Sequence, residues 1–311
     1  MTMLGIEDIA SYIPEQRISN YSKKSKFEID DAFIDDKIGV KAVSVKSKDD
    51  KTSDLCVRAF NRLQEKISME KARIQTAIVI TQNPDARIPH TSAIVQGKLD
   101  LSENCACFDI SLGCSGYVYG LSIVHSFMRE NGFTKGLLFT ADPYSGIVDP
   151  EDKNTSLLFG DAATVTLVGD RPLYQPGHFT FGTMGKEYQN LYCETDKLVM
   201  NGRGIFSFSA KFVPSDIMSL LQKKQLDISQ IDKFIFHQGS KYMVDTIASR
   251  LKLPKDRVVY DAYDYGNTVS SSIPILLEKE IAKTENRNIV ICGFGAGLSW
   301  ASGLLQRTEG V

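Results

Sequence analysis

The chain has one tryptophan, four histidines and six cysteines among 311 residues, and no two cysteines form a Cys-x-x-Cys pair. Zinc ribbons and thioredoxin-type redox sites need such pairs, so both classes are excluded. Six cysteines are also sparse for this length and fit reduced thiols rather than a disulfide scaffold. Charge of one sign is lacking too. The 36 basic and 38 acidic residues leave a formal net charge of -2, with a pI of about 6.1. That balance offers no footprint for nucleic acid or an anionic membrane surface. Long apolar runs are missing: Ile289 to Trp300, the longest mostly apolar stretch, is too short to span a bilayer and is broken by three glycines. Met1 to Asp8 has neither the basic segment nor the apolar core of a signal peptide, which points to a cytoplasmic protein.

What remains is an ordinary globular composition, 42% hydrophobic and 24% charged, long enough for one large or two medium domains. Short β-branched runs alternate with amphipathic segments. The pattern predicts strands over residues 76–81, 105–110, 136–141 and 163–168. A helix is expected over 115–129, because Val118, Leu121, Val124 and Met128 share one stripe and Asn131-Gly132 supplies a stop. The second half repeats the scheme: a strand over 233–236, a helix over 240–251, a short strand over 258–260, a helix over 270–283 and a strand over 288–292. Such alternation predicts an α/β fold with buried sheets covered by helices. Cys114 and Asn267 each precede the next strand by about 22 residues. The halves therefore read as diverged copies, residues 1–170 and 171–311, meeting near Gly169 to Pro176.

Cys114 lies in Leu112-Gly113-Cys114-Ser115-Gly116, between a predicted strand and helix. A sharp turn there would expose the side chain at a helix N-terminus, where the dipole and free N–H groups favour thiolate and could hold an oxyanion. The other reading is a small buried residue at a crowded turn. His237 follows the strand Phe234-Ile235-Phe236, at the edge where open α/β sheets bind ligands. It serves equally as a satisfied core or capping group. Asn267, before a serine-rich helix start, reads alone as an N-cap or turn residue. Gly293-Phe294-Gly295-Ala296-Gly297 could turn backbone N–H groups toward a ligand but lacks Rossmann spacing. Cys105 and Cys107 share one face of a strand, and two ligands make no zinc site, so they read as packing.

Together Cys114, His237-Gln238, Gly266-Asn267-Thr268 and the glycine-rich turn resemble the Cys-His-Asn site of β-ketoacyl-acyl carrier protein synthase III, in the thiolase superfamily. Phe159-Gly160-Asp161-Ala162-Ala163, Ser11-Tyr12-Ile13-Pro14, Gly39-Val40-Lys41 and Leu298-Ser299-Trp300-Ala301-Ser302 extend the resemblance, in order, along nearly the whole chain. The resemblance implies a duplicated five-layer αβαβα thiolase fold and a homodimer. It implies that Cys114 takes an acyl group from a coenzyme A or phosphopantetheine thioester, its oxyanion held by the N–H groups of Cys114 and Ala296. His237 and Asn267 would then steady the enolate left when a malonyl-acyl carrier protein thioester decarboxylates. No metal and no bound redox cofactor is implied. The other five cysteines would be packing.

Departures from the family's pattern gather around the substrate-binding positions. Phe33 stands where a tryptophan usually stacks on adenine, and Lys37 where an arginine lies. Ser240 replaces an asparagine that orders the pantetheine end, and Tyr242 an arginine of carrier-protein docking. Phe206 reads as pocket wall, and Ile88 matches a position that lines the neighbouring subunit's acyl pocket. These changes spare the chemistry and suggest a specialised pathway. Two other functions fit the same three residues: acyl transfer to an amine or hydroxyl without decarboxylation, and an idle partner in a ketosynthase heterodimer. A papain-like hydrolase shares the residue types but not the collinear motifs.

Overall fold

A computed structural model describes residues 3–309. The first half supplies β1 (Gly5–Tyr12), β2 (Thr76–Ile80), β3 (Ala106–Ile110), β4 (Lys135–Ala141) and β5 (Ala163–Gly169). The second supplies β6 (Tyr174–Thr183), β7 (Lys233–Phe236), β8 (Asn288–Gly295) and β9 (Ser299–Arg307). They form one mixed sheet in the order β7-β8-β9-β6-β1-β5-β4-β2-β3. A single residue pair, Ile6 with Tyr174, joins the two runs at β1 and β6. Outward from that seam the runs agree in order and sense. β1 and β6 pair antiparallel with β5 and β9, which pair antiparallel with β4 and β8. Next come β2 and β7, both parallel to their neighbours.

Six longer helices cover the sheet: α1 (Thr52–Lys66), α2 (Thr91–Leu99), α3 (Gly116–Asn131), α4 (Gly202–Lys224), α5 (Lys241–Arg250) and α6 (Ser272–Ile281). Strand alternation divides the apolar residues between cores. In β2, Ile78 and Ile80 join Val118 and Leu121 of α3, Leu276 of α6 and Ile291 of β8 in a middle core. Ala77 and Val79 instead join Leu55 and Phe60 of α1 and Val95 of α2. In β8, Val290 and Cys292 face Ile217 of α4 and Val244 of α5. The result is helix, sheet, helix, sheet, helix, with α3 and α6 as the shared middle layer. Among the described residues no helix is long and apolar enough to cross a membrane.

Three expectations change. The strand over 258–260 reduces to one bridge, Phe234 with Val258, because Tyr260 turns its hydroxyl to the carbonyls of Ile38 and Gly39, 3.1 Å from each. The helix expected from 270 begins at Ser272, because Val269–Ser271 form a tighter 3-10 turn ahead of it. It ends at Ile281. Cys193 is exposed rather than packed.

A Cβ on Gly160 would lie 1.9 Å from the Tyr265 carbonyl oxygen and 3.0 Å from the Ser44 nitrogen, both backbone atoms that cannot retreat cheaply. Gly160→Ala should therefore cost at least about 2 kcal/mol of stability. Gly97, inside α2, has nothing within 4 Å of such a Cβ, and Gly97→Ala should add up to about 1 kcal/mol. Urea midpoints moving in opposite directions check both.

Candidate active site

Cys114 stands just before α3, whose N-cap is Ser115. The end of β8 passes against it as nearly bare backbone. A Cβ on Gly293 would meet the Cys114 carbonyl oxygen at 2.6 Å, and one on Gly295 the Cys114 Sγ at 2.8 Å. The glycines are thus required by close approach, and the nearby backbone N–H groups of Cys114 and Ala296 favour the thiolate. The expected exposure of Cys114 is overturned: it is only 4% accessible. Burial and the nearby Asp142 charge push its thiol up to about 12, against the pull of the two N–H groups. Desolvation thus opposes the thiolate that the helix N-terminus favours. The cause is that the strand end of the other half covers the turn.

His237 continues β7, its N–H donating to the Cys292 carbonyl at 2.9 Å. Its Nδ1 lies 2.7 Å from Ser272 Oγ at the head of α6, and its ring meets Phe294 edge-on with centroids 5.5 Å apart. Burial drops its pKa to about 3, so the imidazole is neutral at physiological pH. Asn267 is fixed by its backbone: its N–H donates to Leu158 at 2.7 Å and its carbonyl accepts from Gly160 N at 3.0 Å. Its Oδ1 accepts from Val269 N at 2.9 Å, which leaves the Nδ2 hydrogens for the cavity. Holding β-branched Val269 in the left-handed region costs about 1–3 kcal/mol, a strain met where the amide is aimed.

These three side chains meet at the floor of a cavity of about 700 Å³. Leu158, Phe159, Leu191, Met200 and Ile205 form apolar walls, and Phe33, Lys37, Lys153, Arg203, Phe206 and Tyr242 surround the outer part. Of the residues expected to bind substrate, Phe33, Lys37, Ser240 and Phe206 line this cavity. Ile88 does not; it projects outward, 88% exposed. The Ser240 hydroxyl is engaged as the N-cap of α5, accepting from Met243 N at 3.3 Å. Tyr242 stacks on Phe206, centroids 5.2 Å apart.

Sequence reasoning missed three groups. Lys153 and Arg203 add to Lys37, so the lining carries three cations and no carboxylate among the described residues. The Nζ atoms of Lys37 and Lys153 lie over the Phe33 ring, 5.3 and 5.1 Å from its centroid. Only chain crossing brings them together, and no local spacing announces it. The third is Asp142, fully buried after β4, accepting from Gln82 N at 2.7 Å and from Ser270 Oγ. Burial lifts its carboxyl to about 6, and it has no ion-pair partner among the described residues.

Comparison with known proteins gives the chain's family. Residues 108–185 match the family 3-oxoacyl-[acyl-carrier-protein] synthase III, and residues 221–307 match its C-terminal region. A β-ketoacyl-[acyl-carrier-protein] synthase III of Streptococcus uberis is 32% identical over 97% of this chain and 98% of its own. The protein of that name from Neisseria meningitidis is 29% identical over 98% of this chain and all of its own. Among solved structures, a 3-oxoacyl-(acyl-carrier-protein) synthase III superposes with a TM-score of 0.91 at 30% identity, over 98% of this chain and 100% of that one. The synthase III of Thermus thermophilus gives 0.91 at 29% identity, with the same coverage.

The buried thiol sets a pH dependence. Alkylation of Cys114 by iodoacetamide, followed by intact mass, should be slow at pH 7 and climb beyond pH 9, because the reactive thiolate appears only as pH approaches about 12. Asp142→Asn removes a negative charge that disfavours the thiolate. It should shift the rise to lower pH and speed alkylation at pH 8 by about 3- to 10-fold.

Proposed function

The chain belongs to the 3-oxoacyl-[acyl-carrier-protein] synthase III family, and we propose that it joins an acyl thioester to a malonyl-carrier-protein thioester by decarboxylative Claisen condensation. Cys114 Sγ attacks the acyl thioester, its proton leaves with the departing thiol, and the acyl group stays on Cys114. The N–H groups of Cys114 and Ala296 receive the oxyanion, and each such donor is worth about 2.7–4 kcal/mol of barrier. The malonyl thioester then loses carbon dioxide, and its enolate oxygen accepts hydrogen bonds from His237 and Asn267. For that role Ser272 Oγ–H donates to Nδ1, so that Nε2 carries the proton. The carbanion attacks acyl-Cys114, giving a 3-oxoacyl thioester and the Cys114 thiolate, which takes a proton from solvent to return the thiol. The chemistry calls for neither metal nor redox cofactor.

The observation that carries this reading is the meeting of Cys114, neutral His237 and the Asn267 amide on one buried floor. Three cations without a carboxylate suit the phosphates of coenzyme A or phosphopantetheine entering from outside. The altered mouth, with Phe206 stacked on Tyr242, fits a specialised pathway, and the reduced cysteines fit a cytoplasmic location.

The same reading includes a homodimer. β3 leaves one edge of the sheet open. Beside it α3 exposes Ile123, and Tyr119 packs on Phe181, which is 47% exposed. A second copy meeting β3 edge to edge would cover these groups and turn Ile88 toward its partner.

For Asn267→Asp, acyl-Cys114 should still form while malonyl decarboxylation and condensation collapse by at least about 100-fold, because a carboxylate repels the enolate. Radiolabelled acyl transfer and product mass spectrometry read the two halves separately; normal condensation by this variant would sink the assignment. Cys114→Ala should take no label. Sedimentation should give about twice the 34.5 kDa chain mass, and Phe181→Asp should lower it.

A further inference from the structure

We propose that Cys105 and Cys107 form a paired-thiol modification site, which a hydroperoxide closes to a reversible intrachain disulfide. Residues two apart on an extended chain point to one face, and these two sulfurs lie 3.9 Å apart. The pair stands at the start of β3, outside the cavity that holds Cys114. Both side chains pack in the outer core, with Val95 and Leu99 of α2. β3 is the last strand of the sheet and is paired on one side only, with β2. Cys107 sits opposite Ala77 there and is partly buried, whereas Cys105 is 9% exposed. Backbone geometry allows closure. Two residues of strand advance about 6.6 Å, within the Cα separation that a disulfide spans. Cys105 lies just before the paired residues of β3, its N–H returning to the Ser102 carbonyl at 2.9 Å. The residue that must move therefore belongs to a turn rather than to the ladder.

The two thiols differ in a way that divides the work. A hydrogen bond from Cys105 holds the Cys107 thiol below its ordinary value. The same contact, with burial, holds the Cys105 thiol far above it. Cys107 is thus the attacking sulfur, and buried Cys105 is the one that resolves. The Cys107 thiolate attacks the terminal oxygen of the hydroperoxide and the O–O bond breaks. The departing alkoxide takes up the proton that Cys107 released and leaves as an alcohol, or as water from hydrogen peroxide. Cys105 sulfur then attacks the Cys107 sulfenic acid. The S–S bond forms, and the hydroxyl leaves as water with the Cys105 proton. Two thiols have lost two electrons, and the peroxide bond has received them. An added dithiol reverses the change by exchange.

The test treats the reduced full chain with hydrogen peroxide and then blocks the remaining thiols with N-ethylmaleimide under denaturing conditions. Intact mass counts the maleimides, and peptide fragmentation locates them. Exposure alone would send the oxidant to Cys193, whose thiol is raised by desolvation and the Asp196 charge. The pair should instead react at least about 10-fold faster than Cys193, losing two maleimides together. Dithiothreitol should restore both. Cys105→Ser should stop the reaction at a Cys107 sulfenic acid that dimedone traps, and Cys107→Ser should leave Cys105 reduced. Wild-type protein alone decides the order of reaction, so a variant that fails to fold leaves the test standing. Oxidation of Cys193 before the pair overturns the inference. So does a disulfide that persists in Cys107→Ser, or a covalent link between two chains in place of the intrachain bond. None of these outcomes depends on the condensing reaction.

Discussion

Two backbone hydrogen bonds hold the catalytic arrangement together: Asn267 N to the Leu158 carbonyl, and Gly160 N to the Asn267 carbonyl. They join a loop of the first half to the turn of the second half that carries the amide. Ser44 locks the junction, its hydroxyl donating to the Asp161 carbonyl at 2.6 Å and the Tyr265 carbonyl at 3.1 Å. The segments cross so closely that position 160 has no room for a side chain. Without this pin Cys114 and Asn267 would sit on separate halves joined chiefly by the middle helical layer. With it, each half supplies part of one floor, and the aim of the Asn267 amide is fixed by main chain rather than by flexible contacts.

The floor is buried, and that dictates which groups can serve there. Burial penalises charge, and it disfavours the charged forms of both Cys114 and His237. Neutral donors lose little on burial and gain strength when an anion forms beside them in a low dielectric. The Asn267 amide fits the same logic. Asp142 is the exception, a buried carboxylate without an ion-pair partner, and it persists because Gln82 N and Ser270 Oγ donate to it. Those two donors come from opposite halves, so the carboxylate also reinforces the junction.

The pattern of apolar residues revealed most strands and helices, since β2 and β8, buried on both faces, read as near-continuous apolar runs. It failed where tertiary contacts override local pattern, as at Val258–Tyr260, where a hydroxyl finds two carbonyls off the sheet edge. Cys114, His237 and Asn267, which line one cavity, were legible as candidates because each lies in a motif whose order runs along the chain. Their environment was not. Whether a strand-to-helix turn exposes or buries its cysteine depends on what crosses it, and here the covering strand lies some 180 residues further on. Lys153, Arg203 and Asp142 were invisible for the same reason: each acquires its meaning from neighbours distant in sequence.

Correspondence between the two strand runs explains why a thiol and an amide meet at all. Cys114 precedes α3 and Asn267 precedes α6, and these are the two helices of the shared middle layer. Their N-terminal ends therefore converge on one place, where each presents the partial positive charge of its dipole. The buried thiol shows what that charge serves. Desolvation opposes ionisation of Cys114 against the pull of the nearby backbone N–H groups. The field instead acts when an oxygen becomes anionic, first on the thioester under attack and then on the enolate. Both events place negative charge between the heads of α3 and α6, so one fixed electrostatic arrangement serves both halves of the reaction.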